Sequence, residues 1–200
     1  MKSSKFLFYI GYSKAGTTFF KNQVLKRSSN HKYLKFEDYF VEDIFFDRHK
    51  LDEYCNSEKF KSFKKILYKS KKIIVIHKNL INPIRIYRNT GRYDINQFIL
   101  NLSVFEKNIE NKMSVLISTR KQEDLIISYY NEFFDFFYLK NDIINFKDFY
   151  KFILTKKIIN FFSYRKIFLT LKKNKINYIN FDYDKFFKDR EIENILKTCN

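Results

Sequence analysis

The stretch KFLFYIGYSKAGTT, residues 5–18, holds two of the three glycines in a chain of 200 residues. Gly11 and Gly16 sit five positions apart, with Lys14 between them and Thr17 and Thr18 directly after. An apolar run rich in aromatic and branched side chains, residues 5–10, precedes the first glycine and reads as a buried β-strand. The pattern TTFFKNQVLKR, residues 17–27, follows and reads as a helix. A strand-to-helix turn of this kind lets successive backbone N–H groups converge on one phosphate, and the helix N-terminus adds the positive end of its dipole. Glycine is wanted where the backbone takes positive φ or touches the ligand. Thr17 and Thr18 cap the helix and offer hydroxyls to the same anion. An ordinary threonine-capped turn is the plainer alternative, but it leaves the lysine inside the loop unexplained.

Outward from this stretch, three more short apolar runs read as strands: KIIVIH at 72–77, SVLIST at 114–119 and INYINF at 176–181. Helical patterns lie between or after them. KQEDLIISYYNEFFDFF, from residue 121, places Leu125, Tyr129 and Phe133 on one stripe and Glu123 and Asp124 in the first turn, where the helix dipole favours acids. KDFYKFILTKKI from 147 and SYRKIFLTLKK from 163 precede the last strand, and KDREIENILKT from 188 closes the chain. Strands alternating with helices imply an α/β fold with a parallel sheet covered on both faces. With one proline and no Gly/Ser-rich linker, residues 1–200 read as a single domain. Ligands of such folds bind at the carboxyl ends of the strands.

Composition bounds the rest. Hydrophobic residues are 45% and aromatics 20%, which is globular rather than disordered. No apolar run reaches the roughly 18 residues of a membrane span. The N-terminal apolar run is too short for a signal peptide, so a cytoplasmic protein is expected. Cys55 and Cys199 stand far apart, which argues against a disulfide framework and a zinc site. The net charge of +17 reads in two ways. It is a field for an anionic partner, or it is drift in a chain rich in Lys, Asn, Ile, Phe and Tyr and poor in Ala, Gly and Pro. Basic residues therefore count only where their position is specific.

Two phosphate loops compete for residues 11–18. The Walker A loop is G-x-x-x-x-G-K-[ST]. Gly11 and Gly16 keep that spacing, but Thr17 occupies the place of the lysine that reaches the β- and γ-phosphates. The pattern present, G-x-x-K-x-G-T-T, resembles the 5′-phosphosulfate loop of the sulfotransferases. That resemblance implies a P-loop NTPase-like parallel sheet flanked by helices. It implies 3′-phosphoadenosine 5′-phosphosulfate (PAPS) as donor substrate and no metal. Lys14, Ala15, Gly16, Thr17 and Thr18 would then cradle the 5′-phosphosulfate, with Lys14 aimed at the bridging oxygen.

The family carries a second element: a strand, an Arg, and a Ser eight residues later that together hold the donor's 3′-phosphate. Here VLISTRKQEDLIISYYNEF offers Arg120 and Ser128. The sequence departs from the family at RKQ, where many members have Arg-Asn-Pro or Arg-Asp-Pro. FDYDKFF, from residue 181, is similar to the strand-turn-helix segment that ends many members. The further Arg/Lys-Gly segment that some members close over the 3′-phosphate has no counterpart here.

Sulfuryl transfer needs a base for the acceptor proton. His77, read as ending the second strand in IIVIHKNL with Leu80 after it, loosely resembles the catalytic histidine of cytosolic sulfotransferases. Other members use a Glu after the first helix, and LKFEDYFVEDIFF offers Glu37, Glu42 and Asp43. His31 and His49 have no placement that recommends them. Residues 81–112 read as a lengthened connection whose Arg85, Arg88 and Arg92, beside Gly91, are cleft or solvated loop. A carbohydrate or other small hydroxylated acceptor follows from the family alone. Three alternatives stand beside this reading. They are a P-loop kinase-type transferase needing ATP and Mg²⁺, a basic nucleotide- or nucleic-acid-binding domain without catalysis, and a sulfotransferase fold that binds nucleotide but no longer transfers. No recognised nucleic-acid motif is present, and nucleic acid is not an expected partner.

Overall fold

Strand β1, Phe6–Tyr12, is the middle of a five-stranded sheet. The computed structural model describes residues 6–12, 20, 22, 32–41, 44–70, 72–81, 95–141 and 143–185, with side-chain surroundings given for all but 11, 12, 77–81, 140, 141 and 161. The other strands are β2, Lys32–Lys35, β3, Ile73–Ile81, β4, Met113–Thr119, and β5, Asn177–Asp182. They lie in the order β2-β3-β1-β4-β5, and every pairing is parallel. All five carboxyl ends therefore share one edge. The fold is α/β and P-loop-like.

Alternation along the strands divides the core between the two faces. Phe6, Phe8, Ile10, Ile73, Val75, Met113, Val115 and Ile117 belong to one large buried cluster. Leu7, Tyr9, Ile74, Ile76 and Leu116 belong to a second, with Phe20 and Phe181. Strands apolar on both faces are what a covered parallel sheet demands, since neither face meets water.

Among the described residues, the α-helices pack on the large cluster. They are α1, Phe36–Tyr39, α2, Arg48–Cys55, α3, Glu58–Lys69, α4, Ile95–Ile109, α5, Gln122–Asn141, α6, Phe146–Thr155, and α7, Tyr164–Lys173. Phe105 of α4 joins them, lying within ring contact of Phe6, Phe40, Phe45, Phe60 and Phe63. Residues 95–109 thus form a helix inside what the sequence reads as a long connection. The expected helices at 17–27 and 188–198 lie outside the described residues, Phe20 and Asn22 apart.

Three helix exits take left-handed conformations without glycine: Glu110, Lys157 and Lys175, with φ of 55°, 56° and 58°. A side chain in that region costs about 1 kcal/mol against glycine. After α7 the exit is completed by hydrogen bonds from Lys175 N–H to the Lys172 carbonyl and from Ile176 N–H to the Leu171 carbonyl. A chain that tolerates lysine at these exits reserves its glycines for something else.

Two strand ends differ from the sequence reading. β1 does not stop at residue 10 but runs through Gly11 to Tyr12. Its register against β3 shifts between Ile10 and Tyr12, with Ile10 opposite His77 and Tyr12 opposite Ile81. Gly11 thus occupies an irregularity where an absent side chain lets the strand bend. β3 likewise does not end at His77. It runs four residues further to Ile81, which pairs with Tyr12, so His77 lies inside the strand, level with Ile10.

Candidate active site

At the carboxyl edge of the sheet, β4 ends at Thr119. Arg120 follows Thr119 directly and is half-buried. Its backbone N–H donates to the hydroxyl of Tyr164, 3.0 Å away, at the first turn of α7. Its guanidinium carbon lies 5.5 Å from the centre of the Tyr183 ring, over its face. Tyr183 begins the one-turn 3-10 helix Tyr183–Lys185 that leaves β5. That turn is held by Asp182, whose carboxylate accepts from the Asp184 N–H at 3.0 Å.

The surroundings fix these partners. Asp182 is level with Thr119 in the β4–β5 ladder. The Thr119 hydroxyl donates to the Phe181 carbonyl at 3.3 Å. The Gln122 side chain, at the start of α5, donates to the Phe162 carbonyl at 2.9 Å, tying the beginning of α5 to the chain that enters α7. Beneath lies a buried pair, the Tyr9 hydroxyl and Ser118 Oγ at 2.7 Å. Burial pushes the Tyr164 hydroxyl up to about 12, against the opposing pull of Arg120, so it stays a neutral acceptor at physiological pH.

Ser128 lies in α5, half-buried, between the buried Leu125 and Tyr129. The stripe expected for this helix holds over its first half. Phe133 departs from helical geometry at φ −113° and ψ 17°, and the helix kinks there. His77 is placed by its backbone alone, beside Ile10. Lys14, Ala15, Gly16, Thr17 and Thr18 lie outside the described residues, immediately beyond the end of β1. So do Glu42, Asp43, His31, Arg85, Arg88, Gly91 and Arg92. Glu37 is exposed in α1, after the edge strand β2. His49 is exposed in α2 with Nδ1 3.3 Å from Glu53. Among the described residues no three His, Cys, Asp or Glu side chains gather as a metal-ligand set.

Among the described residues, the carboxyl edge thus carries a guanidinium at the end of β4, set between Tyr164 and Tyr183. The sulfotransferase domain family matches this chain over residues 5–199. The chain belongs to the sulfotransferase family. This sulfotransferase is an enzyme of a family whose donor is PAPS. No curated protein matches it. A solved structure of deoxyadenosine kinase from M. mycoides, with products dCMP and a flexible dCDP bound, is similar at 13% identity and a TM-score of 0.44, over 96% of each chain. A likeness that faint carries no argument about this sulfotransferase. Among the described residues no helix is long and apolar enough to cross a membrane.

Sequence reasoning missed Tyr164 and Tyr183 as companions of Arg120. Tyr183 lies in the FDYDKFF segment but gives no sign there of its partner. Tyr164 is one of 15 tyrosines, and only the fold brings it to β4 from 44 positions away.

Proposed function

We propose that this sulfotransferase moves a sulfuryl group from PAPS to the hydroxyl of a carbohydrate or other small acceptor, and that residues 1–200 act as one domain. The observation that carries the reading is the family match over residues 5–199, together with the order of its two phosphate elements along the chain. Lys14, Ala15, Gly16, Thr17 and Thr18 hold the 5′-phosphosulfate. Arg120 and Ser128 hold the 3′-phosphate. Lys14 meets the negative charge that grows on the bridging oxygen as the S–O bond to phosphate breaks. The sulfuryl group passes in line to the acceptor oxygen, and His77 takes the proton that oxygen loses. No step asks for a metal. Because β3 runs past His77 to Ile81, the base role of His77 rests on the family resemblance, with Glu37, Glu42 and Asp43 as the alternatives.

The test is transfer of radiolabelled sulfate from PAPS to a panel of sugars and small alcohols. Transfer is expected with PAPS and not phosphate transfer with ATP and Mg²⁺. The His77→Ala variant should lose about 10²- to 10⁴-fold in rate while its affinity for adenosine 3′,5′-bisphosphate stays near that of the parent. An unchanged rate moves the base to the 37–43 segment. Phosphate transfer from ATP instead would overturn the reading in favour of a kinase.

A further inference from the structure

An arginine recognises a phosphate through a planar fork, so the fork's orientation matters as well as its charge. Two tyrosines from distant segments bracket Arg120. Tyr164 accepts the Arg120 backbone N–H at 3.0 Å, across 44 positions of sequence. It pins the residue where β4 gives way to α5, and its own place is set by the first turn of α7, which Ser163 caps. Tyr183 lies under the guanidinium at 5.5 Å. Its backbone follows Asp182, which pairs with Thr119 of β4 and whose carboxylate holds the turn by accepting from the Asp184 N–H. A guanidinium lying over an aromatic face keeps its donors at the edge of the plane, where a phosphate can take two of them.

We propose that Tyr164 and Tyr183 are positioning residues for Arg120, the first acting on its backbone and the second on the plane of its guanidinium. The proposal rests on the assignment of Arg120 to the donor's 3′-phosphate. The two tyrosines act through different parts of their side chains. Tyr164 needs its hydroxyl. Tyr183 needs its ring, and a phenylalanine would serve.

The test is calorimetric titration of the full chain with adenosine 3′,5′-bisphosphate and, separately, with adenosine 5′-phosphate. The variants are Arg120→Ala, Tyr164→Phe, Tyr183→Phe and Tyr183→Leu. Arg120→Ala should weaken the bisphosphate and spare the monophosphate. Tyr183→Leu and Tyr164→Phe should weaken the bisphosphate roughly three- to thirtyfold, again sparing the monophosphate, while Tyr183→Phe binds both like the parent. A merely structural role would lower both affinities together. Equal affinities for Tyr183→Phe and Tyr183→Leu, or an unchanged bisphosphate preference in Tyr164→Phe, would overturn the proposal. The Tyr183 pair decides it alone should Tyr164→Phe fail to fold. Loss of both nucleotides alike in Arg120→Ala would instead overturn the 3′-phosphate assignment beneath it.

Discussion

Tyr164 links the candidate site to the stability of the fold. Burial raises its hydroxyl from the ordinary 10.0 to about 12, and Arg120 only partly offsets that. The folded chain therefore keeps this proton at pH values where the unfolded chain has released it. The stability this contributes is fully present below pH 10 and is lost as pH rises towards 12, on the order of 2 kcal/mol at the limit. The urea midpoint of the parent should fall more steeply between pH 10 and 12 than that of Tyr164→Phe. Parallel curves would remove the linkage. At this scale the sequence speaks through rarity. With three glycines in the chain, and Glu110, Lys157 and Lys175 standing at exits glycine usually takes, the pair at 11 and 16 marks a backbone requirement. Tyrosine is common here, so nothing singles out Tyr164 or Tyr183 until the sheet brings them to Arg120.

At the scale of elements, what was legible follows burial. β1, β3 and β4 show as apolar runs because parallel strands inside the sheet are apolar on both faces. β5, an edge strand with only Phe181 buried, shows through its branched and aromatic residues. β2 does not show, because it is four residues long, begins and ends on exposed lysines and lies at the sheet edge. The helices α1 to α4 were masked by lysines and aromatics scattered through 36–109, where caps are read only in hindsight. Ser57, for example, accepts from the Phe60 N–H at the start of α3. The site reading suffered at the same place: extension of β3 to Ile81 turns the expected strand end at His77 into a position within the strand.

A buried polar side chain ties two parts of this poorly legible region. Asn101 of α4, fully buried, donates to the Phe45 carbonyl at 3.0 Å and accepts from the Gln97 side chain at 2.9 Å. It anchors the chain between α1 and α2, where Phe45 packs on Phe8 and Phe105. Asn101→Leu strands the Phe45 carbonyl and should cost about 1–3 kcal/mol in chemical denaturation. Asn101→Leu at parental stability would show the carbonyl to be solvated instead.

For the whole molecule, the charge of +17 did not select a function. It fits a nucleotide with several phosphates and equally a nucleic acid, and a chain rich in lysine by composition would carry it too. The order of parts along the chain is more selective: a glycine loop after the central strand, an arginine after its neighbour, and a family match across residues 5–199. The acceptor stayed illegible because no residue pattern in the sequence identifies it.

On this reading residues 14–18, after β1, and the end of β4 hold a nucleotide carrying both 5′- and 3′-phosphates. Calorimetric titration of the purified chain with adenosine 3′,5′-bisphosphate, with ATP for comparison, tests it most directly. The expected result is micromolar binding of the bisphosphate, much weaker binding of ATP, and loss of the bisphosphate in Lys14→Ala. Absence of bisphosphate binding, or a preference for ATP in the presence of Mg²⁺, would contradict the account.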